Sequence, residues 1–380
     1  MRIAGHRFSS CWLSFLALFC GLSRAPAKDT NDLLNLSPWS RTTNVRIGAG
    51  YKDNILLRSF APIDGFFLSS ELEFFLFRIP VDGTQVALFL NGEDIHYLDP
   101  KGVDKEQTLT ALASIKKDFA RSWKTGLALQ YLYQDQVFDV SRIEDPTVGL
   151  QFNTLRAQGH GFAARPSLLR ELNNQQQVEL EFAVHRQDFD EPLADYWEGG
   201  PKIILSDEYG ANARVSLSYE FLRRDFDNKT QRTVTGQELA GTSLRFFRHE
   251  WQLAWQHAWD RKRRWRSTTK LSFLKNNDNG SDWFEFAGYR ASMEMRYVAN
   301  SWEARLRTLY YHYSYPVQTV SDTDLDKRAR DGYSFTLQGE RKLGKAFKVL
   351  GQFEHEHAFS NRPDEGYDVN TFRIGVDWAF

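Results

Sequence analysis

The chain closes on Phe372-Arg373-Ile374-Gly375-Val376-Asp377-Trp378-Ala379-Phe380. Successive side chains of an extended strand point to opposite faces, so Phe372, Ile374, Val376, Trp378 and Phe380 share one side while Arg373 and Asp377 take the other. A strand that is apolar on one face, polar on the other and ends on an aromatic residue suits the last strand of a transmembrane β-barrel. Its one face meets lipid and its other an aqueous lumen.

The same alternation recurs from about Thr43 onward. Val45, Ile47, Ala49 and Tyr51 oppose Arg46, Gly48 and Lys52, and Leu72, Phe74 and Leu76 oppose Glu71 and Glu73. Val178 to Val184, Ala211 to Phe221 and Tyr333 to Leu337 repeat the pattern. Each run has about the 9–11 residues that a tilted strand needs to cross a bilayer. The fold expected is all-β, a closed antiparallel transmembrane barrel of about 16 strands (14–18), since single-chain barrels have an even number. About fifteen strands read clearly. A missing one is expected at Ile203-Ile204-Leu205 or in 242–259, where the register changes between Phe246 and Trp251 as at a bulge.

The connections carry an independent signal. Short joints at Phe119–Trp123, Trp259–Trp265, Tyr297–Trp302 and Leu343–Phe347 alternate with long polar stretches near 136–148, 188–206, 226–240, 276–283, 314–331 and 359–369. Short periplasmic turns and long extracellular loops are the asymmetry of outer-membrane barrels. Trp123, Trp259, Trp265 and Trp302 flank the short joints and form the expected periplasmic aromatic girdle. A soluble β-sandwich or propeller also alternates, but it would not need loops long on one side only or an aromatic C-terminus.

The amino-terminal segment reads as a signal peptide, residues 1–27. Arg2 and Arg7 precede an apolar stretch from Cys11 to Leu22, and Ala25-Pro26-Ala27 offers small residues for cleavage. A lipoprotein reading around Cys20 meets the bulky Phe19. Residues 28–41 read as a periplasmic lead-in and 42–380 as the barrel. Cleavage leaves 380 − 27 = 353 residues without cysteine, which removes disulfides and thiolate chemistry. Loss of Arg2, Arg7 and Arg24 leaves 45 basic against 49 acidic residues, so nucleic acid is not an expected partner. The mean hydropathy is −0.52 although 14% of residues are aromatic, a pairing that lumen-facing polar residues explain.

Several constellations bear on function. Arg290, Glu294, Arg296, Glu303, Arg305, Arg307, Glu340, Lys342, Lys348, Glu354 and Glu356 fall on the lumen side of the later strands, where charges of both signs would set up a transverse field. The same residues also serve the general need of a wetted interior. Arg261-Lys262-Arg263-Arg264 reads as a periplasmic turn beside anionic headgroups. His355 and His357 share one face, but no third ligand is indicated, so they read as interface residues and no metal is expected. Asn276 to Asp282 is rich in oxygen ligands but lacks EF-hand spacing, and Asn279-Gly280 reads as a tight turn. No Gly-x-Ser-x-Gly is present and no spacing points to catalysis or a cofactor.

The residues from Arg373 to Phe380, with Gly375, Trp378 and Phe380 at fixed offsets, resemble the C-terminal β-signal of Gram-negative outer-membrane barrels. That resemblance implies recognition by the barrel-assembly machinery. Ser360-Asn361, Tyr367-Asp368-Val369-Asn370 and the closing strand resemble the barrel domain of surface lipoprotein assembly modifiers and the ends of uncharacterised porins. Gly48-Ala49-Gly50-Tyr51-Lys52-Asp53-Asn54 is similar to the first strand of such barrels. The modifiers carry a periplasmic helical-repeat domain for which the segment from Lys28 to the first strand has no room. The expectation is therefore a porin-like passive channel for small polar solutes in the bacterial outer membrane, in contact with lipid and lipopolysaccharide. A lipoprotein export or display barrel and a barrel enzyme or structural protein are the alternatives.

Overall fold

The computed structural model describes residues 38–380 apart from 81, 100–102, 140–153, 191–192, 210–212, 322 and 363–364. The signal peptide, Ala211 and most of the 136–148 stretch lie outside the described residues. Sixteen strands follow one another: β1 Trp39–Lys52, β2 Gly65–Arg78, β3 Thr84–Tyr97, β4 Lys105–Ala120, β5 Trp123–Asp139, β6 Thr154–Glu171, β7 Gln176–Phe189 and β8 Tyr196–Tyr209. The second half comprises β9 Ala213–Phe226, β10 Arg245–Ala258, β11 Trp265–Asp278, β12 Phe286–Val298, β13 Trp302–Thr319, β14 Lys327–Lys342, β15 Phe347–Ser360 and β16 Tyr367–Ala379. Each pairs antiparallel with its neighbours in sequence, and β1 pairs with β16 to close the barrel. Closure removes every unpaired edge, which a sheet in hydrocarbon requires. The first strand begins at Trp39, inside the stretch read as lead-in.

The pleat assigns the two faces. Arg373 on β16 pairs with Glu93 on β3, Lys52 on β1 reaches Glu106 on β4 at 3.4 Å, and Lys116 on β4 reaches Glu179 on β7 at 3.9 Å. Each pair skips two intervening strands, so it must cross the concave side. These residues therefore mark the interior. The opposite parity carries Ile47, Leu68, Leu180, Leu217, Leu271, Leu337, Ile374 and their neighbours, all exposed on the outer wall. Among the described residues that wall is a continuous apolar belt, as a transmembrane barrel needs.

Two aromatic girdles bound the belt. Trp259, Trp265, Trp302, Phe347 and Trp378 stand beside the short turns, and Trp123 lies under the Arg170 guanidinium. Eight residues separate Trp302 from Tyr310, Trp265 from Phe273, Tyr289 from Tyr297 and Trp123 from Tyr131. At about 3.3 Å per residue and a tilt near 40°, this is about 20 Å of bilayer thickness.

Three expectations are corrected. The 188–206 stretch is mostly strand β8, the one hidden by its Gly199-Gly200-Pro201 sequence. Those residues are a local turn signal, but Pro201 sits in mid-strand on the outer face, where the ladder to β9 loses only the positions of Gly200 and Pro201 and the ladder to β7 is continuous. A side chain at Gly200 would run into the Phe221 carbonyl. Residues 242–259 hold one strand in continuous register with both neighbours, not a bulge. The pattern shifts there because Phe246 points inward, into an aromatic cluster. In 314–331, β13 runs to Thr319 and β14 starts at Lys327, so only 320–326 connects them. The polar run and Pro316 mark a register shift between Ser314 and Thr319, not a loop. Consequently neither 188–206 nor 314–331 is a long loop over the mouth of the barrel.

Two other loops enter it. Ile55 and Leu57 of the 53–64 loop pack on inward-facing Phe67, Tyr97, Ala358, Tyr367 and Val369, and buried Asn54 donates to the carbonyls of Arg58 and Asp368. Across the barrel, Leu244 closes the 227–244 loop onto Phe226, Phe246 and Phe284. Burial of these rings beneath polar loops fixes the loops at the extracellular end.

Candidate functional site: the charged bore

A barrel of sixteen strands leaves an aqueous channel between its inner side chains. That channel is where function must reside unless the loops carry it. All of the residues anticipated on the lumen side lie there. On β12 and β13, Arg296 grips Glu303 with two bonds of 2.6 and 2.7 Å, and Arg305 shares Glu303 at 3.1 Å. Arg307 donates to Glu294 at 2.9 Å, which Arg305 also approaches at 3.9 Å. Lys348 meets Glu340 at 3.5 Å, and Glu356 accepts from Tyr367. Arg290 donates through Nε to the Tyr313 hydroxyl at 2.8 Å. Glu354 faces the bore from β15 between Thr336 and Thr371.

This arrangement follows from register. Arg266, Arg296 and Arg305 are directly paired across β11, β12 and β13, and Thr268, Glu294 and Arg307 form the next inward row. Three arginines side by side repel, and the carboxylates of Glu303 and Glu294, one in the row on either side of them, offset that repulsion. Above them Lys270, Thr268, Ser292, Ser334 and Thr336 join Arg307 around a pocket of about 400 Å³ in the wall. Lys270 has no ion-pair partner among the described residues, so its ammonium is presented to the bore.

Charge is divided around the circumference. The inner faces of β2 to β7 carry Glu71, Glu73, Glu93, Glu106, Asp118, Glu171, Glu179 and Glu181 against Lys116, Lys124 and Arg165. Those of β10 to β13 carry Arg248, Arg266, Lys270, Arg290, Arg296, Arg305 and Arg307 against Glu250, Asp278, Glu294 and Glu303. Eight anions with three cations thus face seven cations with four anions. In a water-filled bore with low-dielectric walls, such a separation orients dipolar solutes across the path.

Sequence reading did not pick out Arg46, which bridges Glu71 at 2.6 Å and Asp377 at 3.2 Å, or the apolar inner strip of Phe75, Phe77, Phe89 and Leu112. Parity counted along β1 identifies Arg46. The strip is harder to find, because Phe74-Phe75-Leu76-Phe77 is apolar on both faces.

The remaining constellations stand apart from the charged rows of β12 and β13. His355 and His357 point outward near the extracellular girdle, accepting or donating at Asn370 (2.9 Å) and Asp368 (2.6 Å). Asp278 gathers the amides of Gly280, Asp282 and Phe284, which makes Asn276–Asp282 a turn closed by its own carboxylate. The basic run is the turn after β10, with Arg263 at φ 53° and Asp260 accepting from Arg264 and the Trp265 amide. In the closing strand Arg373 and Gly375 face inward, Trp378 faces outward, and Phe380 exchanges backbone bonds with Thr43.

No family model matches the chain, and no curated protein matches it. Among solved structures it is similar to OccAB1 of Acinetobacter baumannii (8% identity, TM-score 0.48, 91% of this chain and 97% of that one). It is also similar to the outer membrane protein opdK of Pseudomonas aeruginosa (10%, TM-score 0.46, 90% and 99%) and to an anion-selective porin of Comamonas acidovorans (12%, TM-score 0.44, 90% and 99%).

Proposed function

We propose that the chain is a porin-like outer-membrane channel through which small polar solutes diffuse passively, with the divided charge of the bore setting preference. The observation that carries this reading is the set of ion pairs and free cations lining a closed sixteen-strand interior. A purely structural barrel could fill that interior with neutral side chains at lower desolvation cost. In this reading, residues 1–27 direct export, the strand ending at Phe380 is recognised by the barrel-assembly machinery, and the outer wall meets lipid and lipopolysaccharide.

Planar-bilayer recording of the refolded protein tests the proposal. Steady ohmic openings support it, and Arg305→Glu with Arg307→Glu should shift the reversal potential toward cation preference. An insulating barrel that instead delivers a lipoprotein to the cell surface would replace this reading with the export or display role suggested by the chain's C-terminal resemblance.

A further inference from the structure

The inner wall of β2 to β4 differs from the rest of the lining. Phe75 pairs with Phe89, and Phe89 with Leu112, in one row across three strands. Phe77 stacks on Phe75 with ring centroids 6.2 Å apart. These side chains have inward parity, and Phe75 and Leu112 each keep 37% of their surface accessible. Apolar surface left open to a water-filled bore is costly to maintain unless something covers it in use. The strip lies three to eight residues above the short turns, below the loops that fill the mouth.

In a ring of sixteen strands, β10 to β12 stand opposite β2 to β4. That opposing wall carries Lys270, with Arg307 beside it on β13, both five residues above their girdle tryptophans Trp265 and Trp302. Four hydroxyls, from Thr268, Ser292, Ser334 and Thr336, surround this pair of cations, and Glu294, which accepts from Arg307 at 2.9 Å, lines the same pocket. With Glu294 taken up by Arg307, the hydroxyls and the Lys270 ammonium form a donor-rich surface for an oxyanion. Of the carboxylates above the strip, Glu71 is engaged by Arg46 and Asn91, Glu93 by Arg373, and Glu73, in the next row, accepts from Asn44 at 3.3 Å.

We infer that the periplasmic half of the bore is a selectivity site for amphipathic organic anions, the apolar body travelling along Phe75, Phe89 and Leu112 while the acid group is held toward Lys270 and Arg307. This deepens the channel reading and depends on it. A solute with both parts is oriented by two walls at once, whereas a small inorganic anion uses only one. An amphipathic cation meets the apolar strip but is repelled from the opposite wall.

Single-channel recording of the whole protein in potassium chloride, with phenylacetate, acetate or phenethylammonium added, separates these cases. Phenylacetate should interrupt the chloride current at concentrations about tenfold below acetate, the gain expected from partly covering one phenyl ring. Phenethylammonium should interrupt it no better than acetate. Phe75→Asn with Leu112→Asn should abolish the phenylacetate advantage and leave acetate unchanged. Lys270→Gln, which removes no apolar contact, should weaken both anions. Equal action of phenylacetate and acetate, or of phenylacetate and phenethylammonium, overturns the inference while leaving the channel intact. Absence of any chloride conductance overturns both.

Discussion

Arg46 on the first strand reaches Asp377 on the last at 3.2 Å and Glu71 on the second at 2.6 Å, so one guanidinium ties both sides of the barrel seam. Asp377 is almost fully buried, with 3% of its side chain accessible. Replacing Arg46 by Met leaves that carboxylate without its cation, and an uncompensated charge in such a position costs about 3 kcal/mol. The variant should unfold at a lower urea midpoint in detergent and run as a heat-modified band at a lower temperature. Arg46→Lys, a point charge lacking the planar fork, should recover only part of the loss. A midpoint equal to the parent's in Arg46→Met would mean that the seam owes nothing to this bridge.

Tyr311 offers a second test, this time of packing inside the bore. Its ring lies over Gly332 on the adjacent strand, so that a methyl group added at Gly332 would collide first with the ring and its hydroxyl. Overpacking of this kind costs about 1–3 kcal/mol. Gly332→Ala should therefore destabilise the barrel and push Tyr311 away from Leu274, Phe286 and Tyr313, its partners in the buried cluster. The double change Gly332→Ala with Tyr311→Ser should couple favourably, the second substitution costing less in the first's presence than alone. Additive losses would show that the ring and the glycine do not act as a unit.

The two variants also mark where sequence and structure part company. Alternation in the final strand and the contrast of short and long connections depend on two-residue periodicity and on turn length, both local properties, and they placed the ionic residues of β12 to β15 on the correct face. β8 was legible only at Ile203-Ile204-Leu205, because Gly199-Gly200-Pro201 is locally a turn signal, overridden only by the strands on either side. Phe246 blurred β10 because it faces inward, into a cluster of rings near the mouth of the bore. The inward folding of the 53–64 and 227–244 loops, and the juxtaposition of Phe75 with a cationic wall eight strands away, are set by closure. No local pattern encodes a relationship across the barrel.

At the extracellular end, Arg328 and Glu365 form a buried ion pair at 3.1 Å, with Arg328 also donating to Gln318 at 2.7 Å and lying over the Tyr315 ring. Glu365 has 1% of its side chain accessible and belongs to the connection between β15 and β16. Arg362 also approaches Glu365, at 3.3 Å. Arg328→Met should therefore leave that carboxylate one cation in place of two and lower the urea midpoint in detergent by the equivalent of about 1–3 kcal/mol. Arg328→Met with Glu365→Leu should recover part of the loss, because the buried carboxylate is then gone. A midpoint equal to the parent's in the single variant would show that other contacts hold this connection.

In the turn between β2 and β3, Asp82 accepts from Arg78 Nη1 at 3.0 Å and from the Thr84 amide at 3.1 Å. The Arg78 bond, with help from that amide, lowers the Asp82 carboxyl from its ordinary value to about 2. A carboxylate whose folded value is depressed stabilises the fold fully above its unfolded value near 4, and that stabilisation is lost as the pH falls through about 2. The turn should accordingly stay intact on acidification from pH 7 to 4 and loosen between about 4 and 2. Because Asp82 is fully exposed, the effect should be visible as a local titration rather than as global unfolding. Carbon-detected NMR of the Asp82 carboxyl in micelles should give a midpoint near 2, and Arg78→Gln should move it up toward the usual aspartate range. A midpoint near 4 in the parent protein would show that the Arg78 and Thr84 bonds do not persist in solution.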